Sequence, residues 1–198
     1  MKRGKLIVFE GISGTGKETQ AKLLNTLLTN RGIKSHIVYH PSPELKAILS
    51  QWRKTRNIDH VSEAYFLLAD RYNRVQEVIK PALEKGEWVI SLRNWISVLV
   101  YQAKTPSDRD YLTKEFAWFE PKADYLFYFD LDADLALERI KKRGEAFGFF
   151  ESREKLRDKR NAYQQVLRTI PYIMIDASAS IESIHLTITK QIVYRDKR

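Results

Sequence analysis

A chain of 198 residues is long enough for one domain with a sizeable core, and 43% hydrophobic with 30% charged residues is the balance of a globular protein rather than a disordered or fibrous one. The absence of cysteine excludes disulfides, thiolate metal sites and cysteine nucleophiles, and no apolar run reaches the roughly 20 residues of a membrane span. The net charge of +9 is compatible with nucleic acid, an anionic membrane or small polyanionic substrates, and the motifs in the chain favour the last.

Taken in chain order, short apolar runs alternate with longer helical patterns, the arrangement of a parallel sheet wrapped by helices. Strands are expected at 5–10, 35–40, 88–92, 125–130 and 172–176, all β-branched or aromatic runs without a clean period of two, as when both faces are covered. Helical spacing follows Lys17, where Ala21, Leu24, Leu27 and Leu28 form one stripe. A long helix is expected over 61–85, with Pro81 placed to kink its end. Further helices are expected at 96–103, 108–119, 134–143, 153–168 and 181–194. There is no repeat, low-complexity tract or linker, so 1–198 reads as a single domain with a lid segment at about 142–153. The first residues carry no signal-peptide core, and the expected location is the cytoplasm.

The strongest chemical signal lies after the first strand. Gly11-Ile12-Ser13-Gly14-Thr15-Gly16-Lys17 joins a buried-strand pattern to a helix, the context that a phosphate-binding loop requires. Its glycines let backbone amides converge on phosphate oxygens, and the helix N-terminus adds a favourable dipole. Lys17 is expected to follow the β- and γ-phosphates through the transition state. Glu18 stands where a hydroxyl usually ligates magnesium, with Thr19 next. Glu18 has three readings: a direct metal ligand, a ligand through water, or an acid in the first helical turn.

Several further segments carry a resemblance that covers almost the whole chain. Phe9-Glu10-Gly11 and Gly16-Lys17-Glu18-Thr19-Gln20 resemble the phosphate loop of thymidylate kinases, and Leu68-Ala69-Asp70-Arg71-Tyr72 with 78–83 resembles their substrate-binding helix. Tyr101-Gln102, the lid-like Lys142-Arg143-Gly144, Phe147-Gly148 and Glu151, and Asp176-Ala177-Ser178 resemble that family in the same order. The resemblance implies a P-loop NTPase-type three-layer α/β sandwich around a five-stranded parallel sheet. It implies ATP and Mg²⁺, with dTMP as acceptor. It also implies a homodimer, which the residues around Tyr65 and Trp95 could form; no nucleic-acid or membrane partner is expected, since the chain has neither a base-stacking aromatic-and-basic array nor an apolar span.

The resemblance also implies roles. Gly11, Ser13, Gly14, Thr15, Gly16, Lys17, Glu18 and Thr19 would hold the phosphates of ATP, with Ala177 and Ser178 bordering adenine. Lys17, Arg93 and Arg143 would act on the transferring phosphoryl, and Glu18 would hold the metal. His40, Phe66, Leu67, Arg71, Arg93, Ser97, Gln102 and Tyr163 would line the acceptor pocket. Arg71 has an alternative as an interior ion-pair partner, Tyr163 as a core aromatic, and His40 as a structural residue at a strand end.

Departures from the family accompany these matches. Leu92-Arg93 replaces an Asp-Arg pair, Ser13-Gly14 replaces an acid in the phosphate loop, and 39–44 lacks the loop arginine of relatives. Leu67 takes the place of the phenylalanine that stacks on thymine, with Tyr65 and Phe66 adjacent. Arg143, Arg153 and Arg157 are the lid candidates for the γ-phosphate. Rival functions follow, among them another nucleoside-monophosphate kinase and a nucleic-acid-binding P-loop protein, the latter without an aromatic-and-basic array to stack bases. A deoxynucleoside kinase needs a carboxylate base, for which Glu44 is the nearest acid, and a catalytically impaired nucleotide-binding protein would bind ATP without turnover. The histidines His36, His40, His60 and His185 have no metal-ligand spacing.

Overall fold

The computed structural model describes residues 3–56, 58–144 and 148–196. Five strands, β1 (Leu6–Glu10), β2 (Ser35–Tyr39), β3 (Trp88–Leu92), β4 (Tyr125–Asp130) and β5 (Ile173–Asp176), form one parallel sheet in the order β2-β3-β1-β4-β5. The central strand is wholly buried from Leu6 to Glu10, which explains the unbroken apolar run before the loop. Ile7 pairs with Ile90 on one side and Tyr125 on the other. Phe9 packs edge-on to Phe127 at 5.7 Å and tilted against Phe129 at 5.0 Å, tying β1 to β4.

Helices cover the sheet as a three-layer sandwich. They are α1 (Lys17–Asn30), α2 (Pro43–Thr55), α3 (His60–Arg74), α4 (Lys80–Glu84), α5 (Trp95–Tyr101), α6 (Pro106–Ala117), α7 (Ala133–Lys142), α8 (Arg153–Val166) and α9 (Ile181–Asp196). Helix α1 packs on α9, while α5 packs on α6 and α8. Several starts have a local cause in a side-chain cap. Asp59 accepts from the amides of Val61 and Ser62, Ser152 from that of Lys155, and Thr105 with Asp108 forms a capping box. That box, with Pro106 inside it, starts α6 at Pro106 instead of 108.

Two differences from the expected elements matter for the site. Helix α2 was absent from the expected set. Ser42 caps it through the Leu45 amide, Pro43 sits in its first turn, and Leu49 is its buried residue. The expected helix over 61–85 is three pieces: α3, a π-helical turn (Val75–Ile79) and α4. The Lys80 amide reaches back to the Val75 carbonyl, one residue further than in an α-helix, so the turn widens just before Pro81, which has no amide to give. Among the described residues no helix is long and apolar enough to cross a membrane.

Because all strands are parallel, their carboxyl ends share one edge, and β1 reaches it between β3 and β4. Chains leave it in opposite directions on either side of β1, and the resulting crevice is where ligands bind in such sheets.

Candidate active site

A cleft of about 510 Å³ opens at this edge. Ser13, Gly14, Thr15, Gly16, Lys17, Glu18 and Thr19 form its floor. The loop's backbone needs glycine at Gly14 (φ 82°), where an added Cβ would lie 2.6 Å from the Ala136 carbonyl oxygen. Gly11 (φ 143°) is wedged likewise against the Phe129 carbonyl, behind the cleft wall rather than in it. Helix α1 starts at Lys17 without a side-chain cap, which leaves its first amides for an anion.

The Lys17 ammonium donates to the Ile12 carbonyl at 2.6 Å and to Thr15 Oγ1 at 2.8 Å. Burial, and then the nearby Arg93 charge, hold its pKa well below the ordinary 10.5. A polyphosphate in the loop would offer the ammonium stronger, anionic partners than this carbonyl.

Arg93 follows β3 in a left-handed conformation (φ 74°), which is uncommon for a residue with a side chain. Its Nη1 donates to the hydroxyls of Tyr163 at 2.7 Å and Ser97 at 3.2 Å, and its Nη2 to the Tyr101 hydroxyl at 3.3 Å. Behind them lies Glu10, fully buried, accepting from the Asn94 amide at 2.8 Å and from Ser97 Oγ and the Tyr163 hydroxyl at 2.7 Å each. Burial opposes the Arg93 charge, but Tyr101, Tyr163 and Glu10 outweigh it and move its pKa upward, so the guanidinium stays charged. Burial drives the Tyr163 hydroxyl well above its ordinary pKa of 10.0, keeping it neutral.

Leu67, Leu92, Arg93, Ser97, Gln102 and His40 also line the cleft. Both ring nitrogens of His40 are buried and lack a hydrogen-bond partner; Nδ1 stands 3.4 Å from Asp70 without good bonding geometry. Burial lowers its pKa below 6.5, so it is a neutral imidazole at pH 7. Gln102 donates to Glu63 at 2.7 Å.

Other expected site residues stand elsewhere. Arg71 is fully buried and outside the cleft wall; it makes a two-pronged ion pair with Glu120, at 2.8 and 2.6 Å, and donates to Ser91 Oγ at 3.0 Å. This is the arrangement of an interior ion-pair partner, with a carboxylate and a hydroxyl engaging the guanidinium. Phe66 is 41% exposed and packs edge-on to Trp52 at 5.0 Å, turned from the cleft that its neighbour Leu67 faces. Tyr163 is buried behind Arg93 as a hydroxyl support rather than a wall. Ala177 is buried and accepts from Arg139 at 2.8 Å, so the cleft surface on that side is Arg139 itself; Ser178 is bonded to Asp176. Arg143 lines the cleft while donating to Glu151 at 3.2 Å. Of the other lid arginines, Arg153 is paired with Asp134 and Arg157 is exposed. Phe147 lies outside the described residues, as does part of the expected lid.

Several cleft residues were not anticipated: Lys46 and Arg53 on α2, Arg139 on α7, and Phe149 and Phe150 before α8. The first two went unseen with α2, although Ser42-Pro43 and apolar positions at 45, 49 and 52 signal a capped helix. Arg53 pairs with Glu63 and lies 4.8 Å from the centre of the Phe150 ring, which also packs on Tyr101 at 4.9 Å. The lid-side aromatics thus lean onto the acceptor half of the cleft.

A model of the thymidylate kinase family matches residues 9–188. The chain is 34% identical to the probable thymidylate kinase of Pyrococcus horikoshii over 194 residues, covering 94% of each. It is 31% identical to the thymidylate kinase of Buchnera aphidicola, covering 98% of this chain and 96% of the relative. The thymidylate kinase of Akkermansia muciniphila is also 31% identical, with 98% and 94% covered.

Proposed function

The chain belongs to the thymidylate kinase family, and we propose that it transfers the γ-phosphoryl group of ATP to dTMP, giving ADP and dTDP. The observation that carries this reading is the single cleft in which the phosphate loop and Lys17 meet Arg93, His40, Leu67 and Gln102. An oxygen of the acceptor phosphate attacks the γ-phosphorus, the bond from that phosphorus to the bridging oxygen breaks, and ADP leaves with the electron pair. The acceptor is already an anion, so no general base is needed. Catalysis is alignment and charge neutralisation. In this proposal Lys17 leaves the Ile12 carbonyl for the β- and γ-phosphates. Arg93, held by Tyr101, Tyr163 and Ser97, bridges donor and acceptor phosphates. Arg139 and Arg143 cover the nucleotide from α7.

Magnesium belongs to the same proposal. Among the described residues no three acids or histidines cluster to cage a metal. Mg²⁺ does not need such a cage, since it keeps waters and takes one or two carboxylates plus substrate phosphates. Glu18, exposed in the cleft, is a carboxylate that would hold it, and the Leu92 side chain offers no oxygen. Bound there, the ion would supply charge neutralisation on the polyphosphate.

A homodimer and a cytoplasmic location complete the reading. Helices α3 and α6 present Val61, Tyr65, Tyr72, Tyr111 and Trp118 at 39–66% exposure, with Tyr65 bonded to Tyr111 at 2.7 Å and Tyr72 packed on Trp118. Such a contiguous aromatic face suits a second copy. Trp95, by contrast, packs against the core. A rival deoxynucleoside kinase draws little support, because Glu44, the acid expected to serve as its base, is outside the cleft wall and 3.8 Å from Arg74.

The test is a coupled ADP-release assay with ATP and magnesium across nucleoside monophosphates and thymidine. Turnover on dTMP above the other acceptors is expected. Turnover on thymidine alone, or ATP binding without acceptor-dependent turnover, overturns the proposal.

A further inference from the structure

Gln102 ends α5 in the wall between the main cleft and a smaller cavity of about 250 Å³ beside α3 and α6. Its amide has two chemically opposite ends, and the protein fixes which is which. The Nε2 end donates to Glu63 Oε1 over 2.7 Å. Glu63 is 6% exposed and is itself gripped by Arg53, whose Nε donates to Oε2 at 3.2 Å and whose Nη2 donates to Oε1. A carboxylate engaged by a guanidinium only accepts hydrogen bonds, so it can face the amide's NH₂ and not its oxygen. The opposite end, Gln102 Oε1, is buried and has no partner. A buried acceptor without a donor is costly, and the cost is relieved when a ligand brings the donor.

We infer that Glu63, held by Arg53, is a positioning residue that locks the Gln102 carboxamide with its oxygen toward the substrate base. The locked oxygen selects a pyrimidine with a ring N–H, thymine or uracil, over cytosine, whose matching ring nitrogen is an acceptor. The inference rests on the dTMP kinase reading above. The three residues come from α2, α3 and α5, so the polarity of one amide depends on the packing of three helices. Arg53 also stacks on Phe150, which ties this relay to the lid side of the cleft.

The experiment measures kcat and KM at saturating ATP for dTMP, dUMP, dCMP and N3-methyl-dTMP, on wild-type protein, Glu63→Gln and Arg53→Met. Wild type is expected to favour dTMP and dUMP over both other substrates. In Glu63→Gln the new amide can accept or donate, so Gln102 is free to turn over. The dTMP:dCMP ratio of kcat/KM then falls by about tenfold or more, mainly through KM, the scale of one mismatched buried hydrogen bond. Arg53→Met moves the ratio in the same direction and serves if Glu63→Gln does not fold. A purely structural role would lower both substrates in parallel, and an unchanged ratio in the folded variants overturns the inference. So does equal use of N3-methyl-dTMP and dTMP by wild type, a comparison that needs no variant. Failure of wild type to use any pyrimidine monophosphate instead overturns the reading beneath it.

Discussion

Arg71→Met separates an interior ion pair from a substrate contact. Arg71 and Glu120 have side chains 0% and 5% exposed, and the guanidinium makes two bonds to the carboxylate and one to Ser91. Removing the cation leaves Glu120 buried and uncompensated, which costs about 3–5 kcal/mol. For a domain of this length each kcal/mol lowers the melting temperature by about 2–4 °C, so the variant should melt about 6–20 °C lower. The double variant Arg71→Met with Glu120→Leu removes both charges, and most of the lost stability should return. Ser91 Oγ keeps its own 2.6 Å bond to the Arg93 carbonyl, so the approach to the active site survives in both variants. Scanning calorimetry gives the melting temperatures, and the ADP-release assay gives KM for dTMP on the folded fraction. KM should stay within about threefold of wild type, because no contact of Arg71 faces the cleft. A variant that melts like wild type but has a KM raised more than about tenfold would refute the reasoning and return Arg71 to the acceptor pocket.

Tyr163→Phe deletes a hydroxyl shared by Arg93, Ser97 and Glu10; it should cost about 1–3 kcal/mol in urea unfolding and lower kcat about tenfold while KM for ATP holds. Glu18→Gln should raise the magnesium concentration for half-maximal rate by about tenfold, and unchanged magnesium dependence would remove Glu18 from the metal site. His40 has a folded-state pKa below its unfolded value of 6.5, so the unfolded chain binds the extra proton as pH falls and stability is lost below about that pH. In His40→Gln the loss of stability between pH 7 and 5 should be smaller, measured as urea midpoints across that window.

The parallel sheet and its phosphate loop were legible because both depend on local pattern. An apolar, β-branched and aromatic run such as Trp88–Leu92 suits a strand covered on both faces, and the glycines at 11, 14 and 16 take backbone geometry that few other residues meet. Helix α2 carries a legible signal as well, in Ser42-Pro43 and the helical spacing of Leu45, Leu49 and Trp52, although only Leu49 among its apolar residues is fully buried. The acceptor side was harder. Whether Arg71 or Arg53 reaches the cleft is decided by which carboxylate each meets, Glu120 or Glu63, and such pairings between distant segments leave no mark in the spacing of either residue. Phe66 and Leu67 are neighbours pointing different ways, so a helix phase error of one residue exchanges a wall of the pocket for an exposed ring.

The contact between Gly14 and the Ala136 carbonyl has a consequence for how this protein can vary. At Gly14 the phosphate cradle abuts a helix more than a hundred residues away, with no room for a single methyl group between them. Ala136, buried on α7, is therefore expected to tolerate change poorly although it does not border the cleft. A bulkier side chain at Ala136 should raise the helix, shift Arg139 and Arg143 with it, and reset the distance between the cradle and the arginines above. The spacing of the nucleotide's surroundings thus hangs on an alanine that no nucleotide need touch.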